Sequence, residues 1–301
     1  MASNKSGALR ALFIALAFAL AMPFPSRAEM TEDTSGRPAF CAASRSGTGA
    51  SGPDSPVMAS AEGGAGASTE GDSQASVVIL DYHTFLGKKG DNLDFSPADF
   101  AAQLDAMAAL GYRFVSLEDA IEGRISGRAN IAITIDDGNH SIYKACREVL
   151  LPRGIKPTLF IYPAIVLSHQ PFALSPAQVE ELSRDGCIIG AHGYHHIPLS
   201  DKSRRNNPKD YWSEITMPAQ ALARITGFIP VLYAYPYGEA SARAEKDLAA
   251  ADYEWAFTAD ADFGLVDFAA PDLDHMAVHR TIIYRWNYPK ILKALADQLK
   301  D

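Results

Sequence analysis

Ile131-Ala132-Ile133-Thr134-Ile135-Asp136-Asp137-Gly138 is the stretch on which the architecture turns. Five apolar or β-branched residues follow one another without the alternation of a half-exposed strand. Such a run describes a strand buried on both faces, as in parallel sheets. Two adjacent carboxylates then end it at a glycine. Neighbours on an ideal strand point to opposite faces, but a turn through Gly138 can bring both acids to one pocket. Carboxylates that close repel, unless a cation lets one ligate while the other works as a base. The alternative is an Asp-Gly turn leading into the next helix.

Working outward, similar apolar runs occupy Val77–Tyr82, Phe114–Leu117, Thr158–Tyr162, Ile188–Ala191, Val231–Tyr235, Trp255–Thr258 and Ala277–Ile283. Helical spacing fills most of the gaps. From Pro97 to Leu110 the apolar positions are Phe100, Leu104, Met107 and Leu110, with Ser96 as N-cap and Gly111 as the stop. Ser141–Leu151, Pro176–Leu182, Tyr211–Ile225, Ser241–Ala250 and Pro289–Leu299 read as helices in the same way. This alternation predicts an α/β domain around a largely parallel sheet, and eight candidate strands suggest a distorted barrel. His83, Asp136-Asp137, His192 to His196 and Tyr235-Pro236-Tyr237 all follow apolar runs at their C-terminal ends. That is the edge where loops converge in parallel α/β folds, so one shared site is expected.

His192-Gly193-Tyr194-His195-His196 is the second chemical signal. Histidines at i and i+4 share a helical face and often bind a metal; with His195 present, an i, i+3 pair is also open. Two imidazoles and a carboxylate make a mixed nitrogen and oxygen set. It suits Zn²⁺ first, with Co²⁺, Ni²⁺ or Fe²⁺ as alternatives, and leaves positions for water.

The N-terminal quarter has a different texture. Lys5 and Arg10 precede an apolar run from Ala11 to about Phe24, and Ser26-Arg27-Ala28 offers small residues at −3 and −1. This is the layout of a secretory signal peptide over 1–28, and the run is shorter than the roughly 20 apolar residues of a spanning helix. No stable membrane span is expected after cleavage, and the product would be periplasmic or secreted. Of residues 29–76, 33 are Gly, Ser, Ala, Thr or Pro, a composition that cannot offset its ordering entropy, so a disordered linker is expected. Residues 77–301 then form the folded domain. Removing the three positive charges of 1–28 takes the net charge from −9 to −12, which argues against nucleic acid and anionic membrane surfaces as partners. Cys41, Cys146 and Cys187 cannot all pair within one chain. The last two lie in helical and strand patterns and are expected as buried thiols.

Thr134-Ile135-Asp136-Asp137-Gly138, followed about 55 residues later by His192-x-x-x-His196 with Leu199 three further on, resembles the polysaccharide deacetylases. These are carbohydrate esterase family 4, the NodB-homology domain. The similarity continues through Tyr235-Pro236-Tyr237-Gly238 and Tyr253–Thr258 and spans roughly residues 77–290. It implies a distorted (β/α) barrel of seven to eight strands that hydrolyses N-acetyl groups of an amino-sugar polymer with a divalent metal. By this resemblance Asp136 is the general base, Asp137, His192 and His196 are the metal ligands, and the Tyr237 N–H helps hold the oxyanion. Leu80-Asp81-Tyr82-His83 resembles the Leu-x-Tyr-His of poly-β-1,6-N-acetylglucosamine deacetylases, as do Phe100 to Gly111-Tyr112. That subgroup is similar to a circular permutation of the others, and it implies His83 as the general acid. Peptidoglycan or chitooligosaccharide is the alternative substrate; a non-catalytic carbohydrate-binding module is the alternative role. A monomer is the expected form.

The sequence also departs from the family. Many members have Arg two residues before the motif proline, orienting the base; here the residue is Ala234, and Arg280 is the candidate substitute. Gly193 stands where Ser or Thr is usual, which removes a side-chain hydrogen bond expected to brace the site. The late histidines His275 and His279 fit the usual acid setting poorly, and His140 matches no family role. Tyr82, Tyr235, Pro236, Tyr237, Trp255 and Phe257 are candidates for the walls that receive the acetyl methyl and the sugar faces, with core packing as the alternative for each.

Overall fold

The structure, a computed structural model, describes residues 75–300. The signal-peptide reading of 1–28, nearly all of the linker and Cys41 lie outside the described residues. Eight strands form one sheet: β1 Val78–Tyr82, β2 Arg113–Val115, β3 Asn130–Asp137, β4 Thr158–Ile161, β5 Ile188–Ala191, β6 Leu232–Ala234, β7 Trp255–Phe257 and β8 Thr281–Ile282. The order is β7-β6-β5-β4-β3-β1-β8, with every strand pair parallel. β1 follows one edge of β3. On the other edge β2 accompanies residues 130–132 and β4 takes over from Thr134. Parallel bridges Phe257–Val278 and Asp260–Thr281 join the chain after β7 to the chain around β8, so the sheet closes into a distorted (β/α) barrel.

Each predicted strand is present. β3 is longer than its apolar run, because Asp136 and Asp137 stay in register with Phe160 and Ile161 of β4. Both β1 and β3 are buried nearly end to end, which explains their unbroken apolar runs. The helix after β1 covers Pro97–Ala109 with a reciprocal Ser96–Asp99 capping box. It buries Phe100, Leu104 and Met107 against the barrel. Leu117, expected to end a strand, instead opens a short helix capped by Ser116. The single helix expected over Tyr211–Ile225 is two, Pro208–Thr216 and Pro218–Thr226. Pro218 has no N–H to continue the first, and it suits the first position of the second. Short helices at Pro163–Val166 and Asp201–Asn206 were not anticipated. Ser76 is already buried and its N–H bonds to the Gly127 carbonyl. Cys146 and Cys187 are buried and unpaired. No described helix is long and apolar enough to cross a membrane.

The strand end that carries His83 rests on an aromatic cluster. The Tyr82 and Phe100 ring centroids lie 4.8 Å apart, and those of Phe85 and Phe100 4.6 Å apart. Replacing Phe100 by Ala is expected to lower unfolding stability by about 3–5 kcal/mol. In urea denaturation the midpoint should fall with an unchanged slope; an unchanged midpoint would contradict this account of the cluster.

Candidate active site

Asp136 and Asp137 end β3, and the two histidines follow β5, the second strand over from β3 in the sheet. The chain folds back sharply at both places. Asp137 and His196 have φ of 79° and 64°, a left-handed conformation uncommon for residues with a side chain, and Gly138 and Gly193 beside them also have positive φ. This backbone turns Asp137 toward the imidazoles. His192 Nε2 and His196 Nε2 lie 3.1 Å apart, and the Asp137 carboxylate oxygen is 3.6 and 3.4 Å from them. Donors about 2.0–2.1 Å from a tetrahedral ion stand about 3.3–3.4 Å from one another, so the three atoms match the face of such a site. His192 Nδ1 donates to the Ala234 carbonyl at 2.9 Å, which in the neutral ring leaves the Nε2 lone pair facing the same point. Burial, then the neighbouring His192, pushes the His196 imidazole down to about 4, keeping it unprotonated near neutral pH. The donor set therefore fits a divalent metal. His195 is exposed against the Tyr194 ring, and the imidazoles that converge with Asp137 are the i, i+4 pair His192 and His196.

Asp136 points elsewhere. Its two oxygens each accept from the Arg280 fork at 2.7 Å. Arg280 is completely buried, donates also to Thr134 Oγ1 and the Thr258 carbonyl, and lies over the Phe160 ring at 5.0 Å. Burial alone would raise the Asp136 carboxyl; the guanidinium and then His192 reverse this and hold it below the usual carboxylate range. Arg280 comes from the turn into β8, so it reaches Asp136 from across the barrel rather than from the β6 position that Ala234 holds.

His83 follows β1, the strand beside β3. Donor atoms of Asp81, His83 and Asp136 all lie within 4.8 Å of one another. Burial would lower the His83 imidazole, but the charges of Asp81, Asp137 and Asp136 raise it above its ordinary value. Asp81 is itself buried and pushed up to about 7, by burial first, since one guanidinium cannot fully serve two carboxylates. Asp81 was not singled out from sequence. Its signal was available: an acid inside the apolar run Val77–Tyr82.

The aromatic candidates divide by burial. Tyr82 lies in the core with its hydroxyl on Gln103, Tyr235 is buried with its hydroxyl on the Met276 carbonyl, and Phe257 packs on Phe160. Trp255 is buried between His275 and Phe268. These four rings face the core, which corrects the reading of Tyr82, Tyr235, Trp255 and Phe257 as substrate walls. Pro236 is also buried, supporting the turn beside Gly193. Tyr237 is 63% exposed, its φ is 65°, and its ring centroid is 4.6 Å from that of His196. Of this group it alone presents a side chain at the mouth. His279 pairs with Asp260 and His140 is exposed, both apart from the cluster.

Residues 124–256 match the family model described as polysaccharide deacetylase. Among curated proteins, the chain is 27% identical over 113 residues to a peptidoglycan-N-acetylglucosamine deacetylase of Bacillus cereus, over 37% of this chain and 38% of that one. It is 25% identical over 123 residues to a chitin deacetylase of Colletotrichum lindemuthianum, over 41% and 48% respectively. The chain thus spans less than half the length of these curated relatives. Among solved structures, IcaB from Ammonifex degensii superposes with a TM-score of 0.63 at 23% identity, covering 75% of this chain and 97% of that one; the likeness is one of fold. The family match includes Asp136, Asp137, His192, His196 and Tyr237, whereas His83 and Arg280 fall outside it.

The Asp136–Arg280 pair makes stability depend on pH. Asp136 in the folded chain lies below its unfolded value of about 3.9, so its contribution is complete above about pH 5 and lost in stronger acid. In Arg280→Met only the weaker charges of His192 and His83 oppose burial, so the folded value is expected to rise above the unfolded one and stability to fall as pH rises. Breaking the pair should cost about 3–5 kcal/mol at pH 7. The gap to wild type should narrow between pH 7 and pH 5 in urea melts; a gap independent of pH would contradict the assignment.

Proposed function

We propose that this member of the polysaccharide deacetylase family removes N-acetyl groups from a polymer containing N-acetylglucosamine, releasing acetate and leaving glucosamine. The observation that carries the reading is the convergence of the Asp137–His192–His196 donor face with an ionised, Arg280-clamped Asp136 beside it. Asp137, His192 and His196 would hold the ion. A divalent metal there supplies Lewis acidity, polarising the acetyl carbonyl and bringing a water pKa toward about 7.

The chain's own groups divide the remaining work. Asp136 accepts the proton of the attacking water; Arg280 keeps it ionised and fixes its plane, so that it is a base before substrate arrives. The Tyr237 N–H, held in a left-handed turn, faces the developing oxyanion. An amide nitrogen leaves only once protonated. His83, whose imidazole is raised by its acidic neighbours, is the group placed to give that proton. The released amine becomes cationic, and an acidic protein does not repel it. We take Zn²⁺ as the ion and the chain as a monomer. Residues 1–28 act as an export signal and 29–76 as a linker to the domain.

A β-1,6-linked polymer is favoured as substrate, because the acid sits at the end of the first strand, adjacent to the base strand, in the Leu80-Asp81-Tyr82-His83 setting. The names of the curated relatives support peptidoglycan or chitin-type glycans as the second reading. Acetate release from β-1,6-linked oligomers, peptidoglycan fragments and chitooligosaccharides should be fastest on the first and abolished by a chelator. Asp136→Asn should lower turnover by about 10²–10⁴-fold while metal analysis still finds the ion. No acetate from any of the three would end the proposal. Separately, intact-mass measurement of exported protein should place the new N-terminus at Glu29; an uncut Met1 would refute the signal assignment.

A further inference from the structure

The loop that carries the metal-ligand histidines is irregular. Residues 193–197 lie between β5 and the Asp201–Asn206 helix and include two left-handed residues, Gly193 and His196. Such a loop does not hold two imidazoles in place unless its own peptide groups are fixed. The group that fixes them is Glu214, from the Pro208–Thr216 helix, whose side chain is completely buried. One carboxylate oxygen accepts from the Tyr194 and Ile197 N–H groups, both at 3.0 Å; the other accepts from the His195 N–H at 2.8 Å. Among the described residues no Lys, Arg or His pairs with it, so three converging amides are what balances its charge.

Gly193 completes the picture. A Cβ built there would stand 2.3 Å from the Glu214 carboxylate oxygen and 3.2 Å from Pro236 Cγ. The carboxylate occupies the space that a side chain at 193 would fill. We propose that Glu214 is a positioning residue for the metal site: its carboxylate locks the 193–197 loop through three backbone N–H groups and replaces the brace that a Ser or Thr at 193 would provide. The proposal rests on the metal-site reading above. It makes Gly193 and Glu214 a matched pair, in which the small residue is required by the acid.

Zn²⁺ affinity of the full chain, measured by competition with a chromogenic chelator, tests this. Wild type should bind one ion. Glu214→Ala should bind about 10–100-fold more weakly, the range for loss of groups that orient metal ligands. Glu214→Gln has the same shape but sets an amide donor against the His195 N–H. It should be weakened several-fold, and it carries the test if the Ala variant fails to fold. Activity of either variant should recover in part at saturating Zn²⁺. Gly193→Ser should weaken binding in wild type and do so less in the Glu214→Ala background, where the clash is gone. Asp247→Ala, which unties the same helix by removing the acceptor of Tyr211 and Arg204, should leave Zn²⁺ affinity within twofold. Equal Zn²⁺ affinity in wild type and both Glu214 variants would overturn the inference alone; a wild type that binds no metal would overturn it together with the deacetylase reading.

Discussion

The bidentate contact between Arg280 and Asp136 is the interaction on which the rest of the site depends. It joins positions 144 residues apart in sequence, from the last strand's approach to the third strand's end. A fully buried guanidinium is costly to desolvate, and the geometry offsets that cost with two short bonds to a carboxylate, further donors to Thr134 and Thr258, and the face of Phe160. Phe160 can lie there because its neighbour across β5 is Gly190, where a Cβ would come within 2.5 Å of the ring. A chain of steric and electrostatic requirements thus runs from a glycine through an aromatic ring and a cation to the Asp136 carboxylate.

The same logic separates two carboxylates that adjoin in sequence. Asp136, in register on β3, turns inward to the guanidinium and stays ionised. Asp137, at φ 79°, turns toward the imidazoles and is half-buried. Left-handed backbone recurs at His196 and Tyr237, so three of the groups that face the mouth sit on strained residues. Such strain persists only where surrounding contacts over-determine the conformation. The carbonyl of Ala234 on His192 and the Glu214 carboxylate on the histidine loop are contacts of that kind.

Much of this was legible in the sequence because the signals were local. Unbroken apolar runs identify strands buried on both faces, and Asp136-Asp137 and His192/His196 stand out as polar groups ending such runs. What remained hidden depended on direction or distance. Whether His195 or His196 joins the site is set by one backbone φ, which spacing does not reveal. Tyr82, Tyr235 and Trp255 have rings that suit a core as well as a sugar, and each hydroxyl or ring edge found a partner inside. Glu214 lies on a helical pattern like any surface acid, and only the fold brings it beneath the loop. The break at Pro218 was readable from the residue itself and was outweighed by the helical spacing on either side.

Closure of the barrel is uneven, and this has a consequence for how the molecule fails. β1 and β3 share five paired residues, whereas β8 has two, and the last gap is bridged by single pairs at Phe257–Val278 and Asp260–Thr281. Arg280 sits inside this seam. A fluctuation that parts it carries the guanidinium away from Asp136 while β3, β4 and β5 keep their pairing, and leaves two acids buried without their counter-charge. Loss of the Asp136 ion pair and local opening of the barrel are therefore one event, which can precede global unfolding.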